Sequence, residues 1–548
     1  MAAPRTDDAV LLAALKAYED AGGVMAEAAR RSGENLETFK SRVREARKRF
    51  GIKRLAHGRV EAIGAKKASL PAKGQVKRYV LTSAQNNTHV WQGFENVRAL
   101  AEHYGAEIFV GTYSYNKSAY GEASTKRGKG PTVKDQGNWY DPAVEPYIVD
   151  GRVQLAPGLV WCGEMNILPT AKDPLSGLET YAGRQSCVVP HAKIEMRSVA
   201  SGKNEGTKLN FTTGTITQRN YISKRAGLEA DFLHAYGAVV VEVCADGTWF
   251  VRQLHAGDDD SIYDLDLKVQ AGMVTNYVAE GGQAEAISWG DIHAELLEDE
   301  QFQVAWGEAG IFETLRPRHQ FMHDVLDMRF RNHHESKDPH KMFAKHIRGK
   351  ESGRAEVGRA RRFLIDTKRD WCQTVVVSSN HDMALERWLR EADYRYDPVN
   401  AIFFLELQLA KYKAIEAGDK GFYLFEYACR ELYTEGAGTL IGVKFLKEDE
   451  SFVICRDGLG GIECGMHGDK GPNGAKGTPQ NLRKLGRPAT IGDKHTAGIY
   501  GKLYVAGVTG PLDMGYNRGP SSWTHSHVLT YPNGRRAIVT VFNGKWRA

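Results

Sequence analysis

Aspartate, asparagine and histidine recur in short groups along the C-terminal half of this 548-residue chain, each just past an apolar, strand-like run. AEAISWGDIHAE offers Asp291 and His293, FMHDVLDMRFRNHH offers Asp327, and TVVVSSNHDMALERWL offers Asn380, His381 and Asp382. The stretch from SFVICRDG through ECGMHGDKG to PATIGDKHTAG adds His467, Asp493 and His495. Carboxylate, imidazole and amide oxygen together suit borderline divalent ions such as Mn2+, Fe2+ or Zn2+ better than Ca2+. One carboxylate shared by two such ions makes a two-metal site, which can clamp a phosphoryl group and activate water. His319, His323, His340 and His346 read as surface or core residues rather than ligands, and His89 and His103 carry no partner pattern.

Such groups can meet only if the fold brings them together. In an open α/β sheet the carboxyl ends of the strands converge at one edge, and the gaps between the groups are each long enough for a crossover connection. In Asp-x-His after a strand, alternate residues point the same way, which places both side chains on one side of the chain. THSH, with His525 and His527, is a rival to GDKH for the last group. PATIGDKH reads as strand then loop, whereas THSHVLTYPNGRRAIVTVFNGKW reads as a closing hairpin, so GDKH is preferred. The apolar run PVNAIFFLELQLAKYKAI at 398–415 has helical spacing and predicts a buried helix.

GDIH, LDMRFRNHH, SNHD, MHG and GDKH, in that order, resemble the calcineurin-like metallophosphoesterase superfamily, whose usual forms are DxH, GDxxD/H, GNHD/E, GH and GHxH. The resemblance covers roughly residues 284–510. It implies an α/β fold with a metallophosphoesterase-type β-sandwich flanked by helices, and two divalent ions, Mn2+ by preference with Mg2+ as the alternative. Position by position it implies that Asp291, His293 and His495 bind one ion, Asp327 bridges both, and Asn380, His467 and Asp493 hold the second. His381 would donate a hydrogen bond or proton to the phosphate or leaving oxygen, with Asp382 orienting it. Leu326 and Ser379 replace the usual glycines, and Asp493 replaces a histidine, either as a ligand or behind one. A closer resemblance, to the pre-early DNA-transfer family of T5-type bacteriophages, rests on LDMRFRNHH, SNHDMALERWL and the region beginning RYVLTSAQNNTHVWQGFENVRALAEHYGAEIFVGTYSYN. It implies a metal-dependent DNase acting on host DNA.

The front of the chain has a different character. Residues 1–78 carry 18 Lys+Arg against 9 Asp+Glu, a charge of +9, so the remainder of a chain totalling +6 sums to −3. Residues 1–52 predict a short helix, a glycine-containing turn and a longer basic helix, the helix-turn-helix pattern. Lys40, Arg42, Arg44, Arg47, Lys48 and Arg49 on the last helix are candidate DNA contacts, joined by Arg329 and His333 beyond the bridging aspartate. Residues 53–78 read as a basic linker suited to gripping phosphates. Residues 79–283 read as an α/β and β-rich accessory domain, opening with strand, helix and strand and containing a hairpin turned at Asp246-Gly247. Residues 284–548 then form the catalytic domain.

Seven widely spaced cysteines without a CxxC pair argue against a disulfide framework or zinc ribbon and for a reducing cytoplasm, that of the bacterial host for a phage protein. No apolar run is long enough to span a membrane, and no secretion signal opens the chain. The expected partner is DNA, with a homo-oligomer and a host protein partner left open. A phosphatase or phosphodiesterase acting on small-molecule or protein phosphoesters is the alternative. A DNA-binding regulator with a degenerate site comes third, disfavoured because the metal-type side chains are intact.

Overall fold

The computed structural model describes residues 6–20, 25–49, 66–115, 139–203, 205–332, 335–336, 338–433, 438–456 and 460–548. The chain forms two compact units, residues 1–64 and 65–548.

The first unit contains three helices, Asp8–Asp20, Met25–Arg31 and Leu36–Arg49. Helical spacing turns Leu11, Ala14 and Leu15 toward Phe39, Val43 and Ala46, with Ala28 and Ala29 between them. The turn between the second and third helices needs Gly33 at φ +67°, where a side chain would be strained. The turn residues 21–24, the helix end at Gly51 and residues 53–65 of the expected linker lie outside the described residues. The linker does not extend to 78. Lys66–Lys67 is already a strand paired with Val153 and Gln154, and another strand begins at Val76.

In the second unit the expected strand, helix and strand occur as Val76–Gln85, Phe94–Tyr104 and Glu107–Tyr113, the strands parallel. Gly105 closes the helix at φ +57°. The antiparallel hairpin Gly237–Cys244 and Trp249–His255 completes this four-stranded sheet.

Two further sheets carry the metal-type residues. One has six strands in the order Val443–Phe445, Gln373–Val376, His319–Met322, Ala286–Ser288, Ser526–Thr530 and Arg536–Thr540. Its first four strands run parallel, and the last two form an antiparallel hairpin. The other sheet has eleven strands and runs from Lys66–Lys67 at one edge to Val453–Ile454 at the other. The two share a core in which Ala286, Phe321 and Val375 meet Ile454, Ile462 and Cys464. The architecture is mixed α/β, with helices such as Gly353–Thr367 and Asn380–Glu391 covering the six-stranded sheet.

The expected boundary at 283/284 does not separate compact units. Met196–Val199 pairs with Gly498–Tyr500, and Arg197 donates a hydrogen bond to the Ile499 carbonyl. A continuous backbone ladder and shared core join the two halves. The helix Ala401–Glu416 is buried on one face only. Phe403, Phe404, Leu407, Ala410 and Ala414 pack inward, while Ile402, at 73% exposure, Leu405, Leu409, Tyr412 and Ile415 face solvent. Its apolar residues occupy both faces, so periodicity alone could not mark the buried one. Among the described residues no helix is long and apolar enough to cross a membrane, and the cysteines form no disulfide.

Candidate metal centre

Five chain segments end at one place. Asp291 and His293 follow the strand Ala286–Ser288, Asp324 and Asp327 follow His319–Met322, and Asn380 to Asp382 follow Gln373–Val376. From the other sheet, His467 follows Ile462–Glu463, and Asp493 and His495 follow Ala489–Ile491. The convergence therefore comes from the edges of two facing sheets rather than one open sheet. Nor does the strand pleat bring Asp291 and His293 together, because His293 has left the strand at φ +50°. Asp324, Asp493 and His495 also sit at positive φ, at +47°, +65° and +53°. Non-glycine residues enter this region at a cost, and their gathering in one place marks a site whose geometry the surrounding fold enforces. Gly492 permits the closest approach: a Cβ there would lie 2.5 Å from Asp291 Oδ1.

One donor atom each from Asp291, His293, Asp324 and His495 lie within 4.8 Å of one another, and so do those of His293, Asp327 and His381. His495 Nε2 is 3.0 Å from Asp291 Oδ2 and 3.2 Å from His293 Nε2. His467 Nε2 is 3.2 Å from Asp324 Oδ1, while Asp324 Oδ2 is 3.9 Å from His293 Nε2. Asp324 thus stands between His293 and His467. His293 Nδ1 contacts Asp327 Oδ1 at 2.9 Å, and His381 Nδ1 donates to the Asp327 carbonyl at 3.1 Å.

Several of these buried atoms have no well-formed hydrogen bond: Asp291 Oδ2, Asp324 Oδ1, Asp327 Oδ2, His467 Nε2 and His495 Nδ1. An unmet buried polar atom is costly, and here two of them, Asp324 Oδ1 and His467 Nε2, face each other. Donors bonded to one ion at about 2.0–2.2 Å stand roughly 3–4 Å apart, which matches these spacings. The cluster could hold a divalent metal ion, and its carboxylate and imidazole donors suit one.

Electrostatics point the same way. Burial alone would push the carboxyl groups of Asp291, Asp324 and Asp327 up. Facing imidazoles hold all three below the usual range: His495 beside Asp291, His467 beside Asp324 and His293 beside Asp327. Burial opposes the charge on His467, but Asp324, with Asp291 and Asp493, outweighs it and lifts the group to about 10. The proton on His467 offsets part of this negative charge, and a metal ion would take its place.

Asp324 is the residue that sequence reasoning missed. The structure places it, rather than Asp327, between the two halves of the cluster, with Asp327 turned toward His293 and His381. The signal was present in HDVLD, where Asp324-x-x-Asp327 reproduces the spacing of the GDxxD form with His323 in the glycine position. His323 is fully buried, with Nδ1 3.3 Å from His467 Nδ1. Asp382 does not contact His381. It accepts the Leu326 amide at 3.0 Å and so holds the loop carrying Asp324 and Asp327, and burial together with Asp324 pushes its carboxyl up to about 7. The Asp493 amide donates to Asp291 Oδ1 at 3.0 Å, while its carboxylate pairs with Lys494 and lies 3.7 Å from His467.

Asn380 opens the helix Asn380–Glu391 and lines, with His467, a cavity of about 850 Å³. The THSH histidines stay out of the cluster: His527 accepts the Gly290 amide, and His525 donates to the Gly510 carbonyl. Arg329 Nε lies 3.5 Å from Asp327 Oδ2, and His333 lies outside the described residues.

In the head, Lys40 pairs with Glu37, Arg42 with Glu34, and Arg49 with Asp8 and Glu45, while Arg44 is exposed. Arg49 thereby ties the third helix to the first. The side chains of Arg47 and Lys48 lie outside the described residues.

No protein-family profile matches the chain, and no solved structure matches it. Protein A1 of Escherichia phage T5 is 39% identical over 484 residues, covering 86% of this chain and 83% of that protein. This chain belongs to the same family.

Proposed function

We propose that this member of the Protein A1 family is a phage-encoded, divalent-metal-dependent DNase that hydrolyses phosphodiester bonds at the Asp291–His495 cluster and degrades host DNA. The carrying observation is Asp324 between His293 and His467, among buried donor atoms that lack partners. In this reading the metallophosphoesterase pattern holds with Asp324 as the shared carboxylate. Asp291, His293 and His495 hold one ion on its side, and Asn380 and His467 hold the second. Mn2+ is the preferred ion and Mg2+ the alternative. Divalent ions bound there supply charge neutralisation on the phosphate and a lowered pKa for water.

The chain's own groups do the positioning. The Asp327 carbonyl accepts the Nδ1 proton of His381 and so fixes the ring. Nε2 is left for the phosphate or leaving oxygen, as a general acid requires. Burial disfavours charge on His381, but Asp324 and Asp327 raise its pKa above the ordinary value, which keeps a proton on the ring. Asp382 and Glu356 secure the loop: Glu356 accepts the Arg329 and Phe330 amides, both at 2.8 Å. Arg44 and the third helix of the head offer sequence-independent contacts to the DNA backbone.

Incubation of the full chain with linear, circular and single-stranded DNA, under Mn2+, Mg2+ or EDTA, tests the reading. DNA loss with metal and none with EDTA is expected, and Asp324→Ala is expected to be inactive. Intact DNA under every metal, with turnover of a model phosphomonoester, would place the chain among the phosphatases instead.

A further inference from the structure

A second cavity, of about 380 Å³, lies beside the first and shares Leu485 with it. It is walled by the accessory segment on one side and residues 483–502 on the other. Lys172, Lys193, Arg483, Lys484, Arg487 and Lys502 line it against two carboxylates, Glu195 and Glu229. Both carboxylates are already engaged, Glu195 with Arg197 at 2.7 Å and Glu229 with Arg225 at 2.8 Å. Lys193 donates to the Ala171 carbonyl, and Lys502 lies over the Phe232 ring at 3.4 Å. Lys172, Arg483, Lys484 and Arg487 form no ion pair among the described residues. Burial and the nearby Arg535 bring Lys502 down to about 8, the behaviour of a cation crowded without a counter-anion. The larger cavity is more mixed: Lys470 there pairs with Glu448 and Arg387 with Glu391, while Arg390 and Lys447 form no ion pair among the described residues.

We propose that this basic cavity binds the phosphates of a nucleotide run continuous with the strand held at the metal centre. This rests on the DNase reading. The unpaired cations form an electrostatic funnel, and a concavity of this size admits a nucleotide unit. Phe232, 62% exposed at the rim, offers a face on which a base can stack. A strand leaving Asn380 and His467 through the larger cavity reaches the basic one across Leu485. A free mononucleotide presents the same chemistry.

The test uses the full chain carrying R483Q, K484Q and R487Q together. These side chains are exposed or half-buried, so the fold should survive, and a Mn2+ titration reports whether the metal centre is still built. Binding of a fluorescent single-stranded 20-mer is followed in EDTA across a salt series. The variant is expected to bind about tenfold more weakly at moderate salt. Its log–log salt slope should be smaller by about 2, the value for three lost phosphate contacts on a single strand. Equal affinity and slope for both proteins, with unchanged binding of deoxyadenosine monophosphate and inorganic phosphate, overturns the proposal. Loss of mononucleotide binding alone keeps the phosphate site and overturns the strand. If the wild type cuts no DNA with any metal, the DNase reading fails, while the binding difference still decides the cavity.

Discussion

Two buried clusters of ionisable side chains in the large unit differ in how completely they are satisfied. In one, Arg252 donates two hydrogen bonds to Asp264, at 2.7 and 2.8 Å, and a third to Glu242 at 2.7 Å. Arg78 and Tyr104 contribute further donors to the two carboxylates, and none of these atoms is left without a partner. In the other, Asp291, Asp324, Asp327, His467 and His495 each keep an atom without a well-formed bond. Burial is common to both, so burial is not what distinguishes a site. A network whose donors and acceptors all pair is complete as protein, whereas one that keeps buried atoms unpaired has room in its bonding for a ligand, and this one could hold a metal ion.

The sharpest way to break this comparison is to remove one charge from each cluster. Arg252→Ala should lower unfolding free energy by about 3–5 kcal/mol, since it leaves Asp264 buried with no cation beside it and Glu242 with Arg78 alone. Asp324→Ala should cost the metal-free protein clearly less, because His467, which Asp324 lifts to about 10, can shed its proton once that partner is gone. Urea unfolding in EDTA checks both, and equal losses would make the second cluster structural.

His381→Ala should retain metal, by calorimetric titration, yet slow DNA hydrolysis by about 10²–10⁴-fold, as loss of a general acid does. Loss of metal binding instead would move His381 into the ligand set.

Acid should separate the clusters as well. Burial pushes Glu242 up, but Arg252 and Arg78 overcome it and bring the group from 4.5 to about 2. A depressed carboxyl pKa stabilises the fold above the unfolded value. That contribution, about 3 kcal/mol, is lost as pH falls from 4.5 toward 2. Urea midpoints for wild type and Glu242→Gln should therefore converge across this window.

The smallest expected effect is from metal. Mn2+ at a hundred times its dissociation constant should stabilise the wild type by about 2.7 kcal/mol and leave Asp324→Ala unmoved, read as a rise in Tm.

Much of the candidate site was visible in side-chain type and order. Asp291, His293, His381, His467 and His495 come from segments chosen because each follows a strand-like run, and the structure gathers them. Asp324 escaped notice because HDVLD holds two aspartates, both buried, and only backbone geometry says which one stands between His293 and His467. The positive φ of His293 and Asp324 has no composition signal, as neither is glycine. The elements of the four-stranded sheet were legible because a β-α-β unit and a hairpin pair neighbours in sequence. The eleven-stranded sheet was not, because its ladder joins Met196 to Ile499 across a separation that local periodicity cannot register. Periodicity likewise showed a helix at 401–416 but not that only one of its two apolar faces would find a core.

That long-range ladder has a consequence for synthesis on the ribosome. The strand leading to Asp291 and His293 gains its antiparallel neighbour only with Ser526–Thr530, and Met196–Val199 waits for Gly498–Tyr500. A nascent chain halted before these arrive has exposed strand edges beside the site, even where His467 and His495 have already been made. The strand leading to Asp291 and His293 is flanked on both sides only once Ser526–Thr530 has paired, so products that stop short of that strand are expected to hold a cation poorly.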